Sequence, residues 1–167
     1  MNCFYLTSCI TFHNCHLYNR IIVALYIVKS EIVITNLSSD PDDLNYFEIA
    51  LTNGICKVTV PLYAIDELKK FGQQLINFPI TIEDVVFFQD GQDDEEWAYY
   101  LTLKAFCYDS DGHVALQING KSTGDIVTRY QATFSLLCEA ASINRLGLQI
   151  TNWLLKTDKR LIWKSVQ

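Results

Sequence analysis

FGQQLINF occupies residues 71–78 and LGLQITNW occupies residues 146–153, so the second octet begins 75 residues after the first. Aligned, Phe71 meets Leu146, Gly72 meets Gly147, Gln74 meets Gln149, Leu75 meets Ile150, Asn77 meets Asn152 and Phe78 meets Trp153. Both octets lie in segments whose apolar residues recur at helical spacing. Ile65, Leu68, Phe71, Leu75 and Ile76 mark a helix over about 64–77, halted by Asn77 and Pro79. Ala140, Ile143, Leu146, Ile150, Trp153 and Leu154 mark another over about 139–155. A glycine inside a helix costs about 1 kcal/mol relative to alanine. Its presence at the same place in both copies predicts a contact in which two helices cross near a pseudo-twofold axis, where missing Cβ atoms permit close approach.

Outward from the octets, apolar and polar residues alternate as in half-buried strands. The alternation predicts strands at about 31–37, 45–52, 55–62, 84–89, 97–108, 113–120 and 127–137. Phe47, Ile49 and Leu51 alternate with Glu48, Ala50 and Thr52, and Asn53-Gly54 then supplies a hairpin signal. Asp109-Ser110-Asp111-Gly112 marks a second hairpin. One-sided alternation belongs to an antiparallel sheet with one covered face. The strands leading into the two helices break the 75-residue offset. A one-residue difference in the strand-to-helix turn would set Val60 opposite Phe134, because a single slip exchanges the faces of a strand. The expected fold class is α+β: an antiparallel β-sheet of about six to seven strands with two helices packed on one face, from a duplicated β-β-β-α unit, with Ile80–Gln89 joining the copies.

The chain has 167 residues, half of them hydrophobic and 13% aromatic, enough for a packed core without metal or disulfide. A net charge of −6 argues against a nucleic-acid partner, since that binding rests on neutralising phosphates with Lys and Arg. Residues 1–28 carry one charged residue, Arg20, ahead of the apolar run 21–28. They match neither a secretory signal nor a membrane span, and read as an N-terminal extension, non-native or poorly ordered, ahead of a single domain at 29–167. Of six cysteines, Cys3, Cys9 and Cys15 fall in that extension, and Cys56, Cys107 and Cys138 in strand-like runs. No CxxC pair occurs, so reduced thiols in a cytoplasmic protein are expected.

The usual mechanistic motifs are missing: GxSxG, the P-loop, GxGxxG and HExxH are all absent. The acidic run Asp90–Glu96 and the turn DSDGH at 109–113, both expected as solvated loops, flank the strand-like run 97–108, which sets them at opposite ends of one strand and rules out a shared cation site. Cys107 and His113 flank the tight turn, but pairing sets Tyr108 opposite His113 and sends Cys107 to the other face. No catalytic residue, metal ligand or cofactor is expected. What remains is a surface: the side of the sheet away from the helices carries Tyr46, Tyr100, Phe106, Tyr108 and His113 among polar groups, near the acidic Asp93, Asp94, Glu95 and Glu96. Aromatic residues interleaved with polar ones are enriched where proteins meet.

The stretches LYAIDELKKFGQQLINFP, YDSDGHVALQI and FSLLCEAASINRLGLQITNWL resemble, over about residues 30–155, small bacterial domains of unknown function, some of which are similar to immunity proteins of toxin systems. That resemblance implies a compact cytoplasmic binder rather than a catalyst. The expected function is therefore a non-enzymatic protein-interaction domain, immunity-like or inhibitory, with a basic protein partner and no membrane. Two alternatives stand beside it: a small-molecule or metal-binding domain, which could be an enzyme, with a pocket between helices and sheet, and a structural homodimer.

Overall fold

Hairpins organise the chain, and the strands they join bury their inward faces, with Thr102 and Ala115 buried on the outer side as well. The computed structural model describes residues 30–38, 46–94, 97–154 and 157–165. The extension 1–28, Asp40–Asp43 and the pair Glu95-Glu96 lie outside them. The elements run β1 (Glu31–Asn36), β2 (Phe47–Thr52), β3 (Lys57–Leu62), α1 (Ile65–Leu75), β4 (Val85–Gly91), β5 (Tyr99–Cys107), β6 (Val114–Ser122), β7 (Tyr130–Cys138), α2 (Ala140–Asn152) and β8 (Arg160–Lys164). At the β2–β3 turn the Asn53 side chain accepts from the amides of Ile55 and Cys56 at 3.0 and 2.8 Å, and Gly54 has φ 86°. Cys56 is thus exposed in the turn and not part of a strand.

The strands form two four-stranded antiparallel sheets, ordered β3-β2-β1-β8 and β4-β5-β6-β7, where the sequence led us to expect one sheet of six to seven. The repeated unit is β-β-β-α-β, and its last strand is exchanged. β4, which follows α1, pairs with β5 of the second copy, and β8, which follows α2, pairs with β1 of the first. Residues 85–91 therefore close the first unit and do not link the two. Periodicity sets which face of a strand is buried but carries no information on which strand lies beside it, so the exchange was invisible in sequence.

The registers superpose rung by rung. Across the first sheet runs Trp163–Ile32–Leu51–Val58, and across the second Phe88–Leu103–Ile118–Phe134. The next rungs, Leu161–Ile34–Ile49–Val60 and Val86–Ala105–Leu116–Leu136, correspond in the same way. All sixteen of these residues are buried in one continuous core with the apolar stripes of both helices. The one-residue difference before the helices is present, since Tyr63-Ala64 precede α1 and Glu139 alone precedes α2. The second linker is the shorter one, so Val60 corresponds to Leu136 and Val58 to Phe134, not Val60 to Phe134.

The helices cross where the octets predict. A Cβ on Gly72 would lie 2.7 Å from Ile150 Cγ2 and 3.2 Å from the Gly147 carbonyl, and one on Gly147 would lie 2.6 Å from the Gly72 carbonyl and 2.9 Å from Leu75 Cβ. These contacts are reciprocal, as a twofold demands. A second reciprocal pair confirms the axis. Asn144 on α2 donates from Nδ2 to the carbonyls of Leu75 and Phe78 at 2.8 and 2.5 Å, and Lys69, its counterpart on α1, donates from Nζ to the Trp153 carbonyl at 3.2 Å. Each helix thereby supplies a donor to the carbonyls left over at the other's C-terminal end.

The sheets also touch directly. A Cβ on Gly120 in β6 would meet Val58 Cγ2 of β3 at 2.7 Å, so the inner faces meet there and the outer faces point to different sides of the molecule. Asp90 ties this junction together. It was expected in a solvated acidic loop, yet it is the buried inward residue near the end of β4. Its Oδ2 accepts from the backbone amides of Tyr63 and Ala64 at 2.7 and 3.2 Å, and its Oδ1 accepts from the Tyr99 hydroxyl at 3.1 Å. Ala64, the residue before α1, has no side-chain capping bond. A carboxylate from the other sheet thus anchors the approach to that helix.

Candidate functional site

β5 and β6 are the central strands of the second sheet, and their outward residues, with those of β4 and β7, make one surface. Its rungs read Val85–Phe106–Ala115–Leu137, Phe87–Lys104–Gln117–Ser135, Gln89–Thr102–Asn119–Thr133 and Gly91–Tyr100–Lys121–Gln131. The first is wholly apolar. Val85, Phe87 and Leu137 are 55%, 52% and 44% exposed, while the small Ala115 is buried between Phe106 and Leu137. Lys104 Nζ stands 5.5 Å from the centre of the Phe106 ring, a cation over an aromatic face.

Acidic turns bound this surface at both ends of β5. Beyond the apolar rung, the Tyr108 and His113 rings stack 5.9 Å apart. The His113 ring Nδ1 lies 2.6 Å from Asp109 Oδ2, and Asp109 Oδ1 accepts from the amides of Asp111 and His113. The Asp109 hydrogen bond and then its charge raise the His113 pKa. At Asp109 burial pushes upward, but the His113 hydrogen bonds outweigh it and hold the carboxyl below its usual range. At the far end, Asp93 Oδ1 takes the Lys121 ammonium at 2.8 Å, and Asp94 Oδ1 accepts from the Trp97 amide at 3.1 Å. Burial first, and the Asp93 charge second, raise the Tyr100 pKa.

Of the residues expected to form the surface, the structure brings Tyr100 and Phe106 onto one face, with Asp93 and Asp94 at one end and Tyr108 and His113 at the other. Tyr46 does not join them. It precedes β2 on the outer side of the first sheet, because the single sheet assumed for it is two sheets facing apart. Glu95 and Glu96 lie outside the described residues. Val85, Phe87 and Leu137 went unnoticed in sequence. Their signals were the unbroken apolar run Val85-Val86-Phe87-Phe88, which leaves one apolar pair on each face of a strand, and the adjacent pair Leu136-Leu137.

Other chemistry is sparse among the described residues. No group of three His, Cys, Asp or Glu there could hold a metal ion, and no helix is long and apolar enough to cross a membrane. Cys107 lies on the inward rung Cys107–Val114–Cys138, apart from His113. Burial raises its thiol pKa and pushes that of Cys138 up to about 12, the reverse of what a nucleophile requires. Between helices and sheets rings meet, with Phe71 on Phe88 at 5.8 Å and Phe47 on Trp153 at 5.4 Å. A groove of about 330 Å³ opens at the end of β6–β7, lined by Lys121, Ser122, Thr123, Arg129, Tyr130 and Gln131. No protein-family model matches the chain, and neither curated proteins nor solved structures give a match.

Proposed function

We propose that this chain is a non-enzymatic protein-interaction domain that docks a partner on the outer face of the β4-β5-β6-β7 sheet. The observation that carries the reading is the apolar rung Val85–Phe106–Ala115–Leu137, extended by the exposed Phe87 on edge strand β4. Such a strip on a soluble surface marks an interaction site more often than chance exposure does. Acidic groups at both ends, Asp93 and Asp94 on one side and Asp109 and Asp111 on the other, favour a partner with an apolar centre and a basic rim. The immunity-like resemblance makes an inhibitory role the natural form of this activity, in the cytoplasm.

Partner capture from native extract by immobilised wild-type chain tests the reading against two variants. Phe87→Glu is expected to abolish capture of a band that Ile162→Glu, on the outer side of the first sheet, retains. Equal loss in both variants, or in neither, would contradict it. Light scattering on the same proteins separates the homodimer: a dimer broken by Phe87→Glu alone would assign the face to a second copy of this chain.

A further inference from the structure

We infer that the groove at the end of β6–β7 is a binding site for a small oxyanion, the phosphate or carboxylate group of a soluble ligand. The site goes beyond the docking face, at whose far corner it lies. In a chain of net charge −6, two of thirteen Lys and Arg residues meet in this one groove. The ladder explains how. Lys121 faces Gln131 and Ser122 faces Tyr130 on the last two rungs of the hairpin, and Arg129 follows directly.

Part of the donor set there is uncommitted. Arg129 spends its Nε–H on the Gly124 carbonyl at 3.0 Å, which steadies the guanidinium and leaves its Nη groups for a ligand. Among the described residues no hydrogen bond occupies the Ser122 hydroxyl or the Gln131 side-chain amide. Two other groups in the lining are already used and serve as walls: Thr123 donates its hydroxyl to the Trp97 carbonyl, and Tyr130 donates to the Thr59 carbonyl at 2.8 Å. The volume of about 330 Å³ suits a small metabolite rather than a bare ion.

Lys121 already holds an oxyanion of the chain itself. Asp93 Oδ1 sits 2.8 Å from its ammonium, and Asp93 is not part of the groove lining. The carboxylate therefore occupies from the rim the position an incoming anion would take, as a built-in competitor. This gives the site an unusual sign: removing an acidic side chain should strengthen binding, and removing Arg129 should weaken it.

Titration of the full chain with inorganic phosphate, and separately with acetate, followed by amide NMR at constant ionic strength held with chloride, tests this. Saturable shifts at Ser122, Arg129 and Gln131 are expected with at least one of the two anions, and the comparison tells phosphate from carboxylate ligands. Arg129→Gln should weaken binding about tenfold, and Asp93→Asn should tighten it about threefold, as gains or losses of one charge-assisted contact. Phe87→Glu should leave the titration unchanged, so failure of the docking face and failure of this site are separable. Shifts reproduced by chloride alone, or an Asp93→Asn variant that binds no better, would overturn the assignment. Unchanged melting temperatures for both variants show that fold is not at issue.

Discussion

The two halves of this molecule agree inside and differ outside. Rung for rung, Trp163–Ile32–Leu51–Val58 repeats as Phe88–Leu103–Ile118–Phe134, and both halves present a glycine and a polar donor to the helix crossing. The outer faces share nothing of this. That of the first sheet is charged and mixed, with Lys164 paired to Glu31 at 3.2 Å and Arg160, Glu48 and Lys57 nearby. That of the second sheet carries Val85, Phe87, Phe106 and Leu137. A twofold core constrains inward residues in pairs because each packs against its counterpart's neighbours. Outward residues escape the constraint, so the place where one half departs from the other is where a binding role can reside.

The sharpest way to break the comparison is at the crossing, where the two glycines are not equally placed. Gly147→Ala drives a methyl against backbone atoms, the Gly72 carbonyl and the Ile76 amide, which cannot step aside. A loss of about 3 kcal/mol is expected in urea unfolding. Gly72→Ala meets Cγ2 and Cβ of the buried Ile150, with the Gly147 carbonyl a little farther at 3.2 Å, and should cost about 2 kcal/mol. If either substitution stabilised the protein, as alanine does in an open helix, the crossing would be wrong.

Asp90 and its counterpart Ser165 sharpen the comparison next. Asp90→Ala strands two backbone amides and the Tyr99 hydroxyl, for a loss of about 2 kcal/mol. Ser165→Ala removes a hydroxyl that is buried without a partner among the described residues, so stability should hold or rise slightly. Equal losses at both positions would show that the junction is symmetric and that Asp90 has no special place.

The smallest effect is at the β5–β6 turn. The Asp109–His113 pair is charged on both sides only above the lowered carboxyl pKa and below the raised imidazole pKa. Its contribution therefore fades as pH falls through the first and again as pH rises through the second. An NMR titration should place the His113 midpoint above the usual 6.5, and Asp109→Asn should bring it down. A midpoint unmoved by that substitution would contradict the pairing.

The sequence made the helix crossing legible because a mid-helix glycine has a cost and two in register need a common reason. Strand faces were legible too, through alternation at Phe47, Ile49 and Leu51. The exchange of β4 and β8 was not, since LIW at 161–163 and VVFF at 85–88 say how a strand is buried and nothing about its neighbour. Splitting one sheet into two then separated Tyr46 from Tyr100 and Phe106. Asp90 was read as solvated because charge runs usually are; its acceptors' partners lie 26 and 27 residues away along the chain, beyond any local pattern.

Cross-linking tests the functional claim most directly, because lysines mark both outer faces. A partner captured by the wild-type chain is treated with an amine-reactive cross-linker and the joined peptides are read by mass spectrometry. Links from Lys104 or Lys121 to the partner, with none from Lys57 or Lys164, are the predicted result. Links concentrated on Lys57 and Lys164 would place the partner on the first sheet and contradict the account.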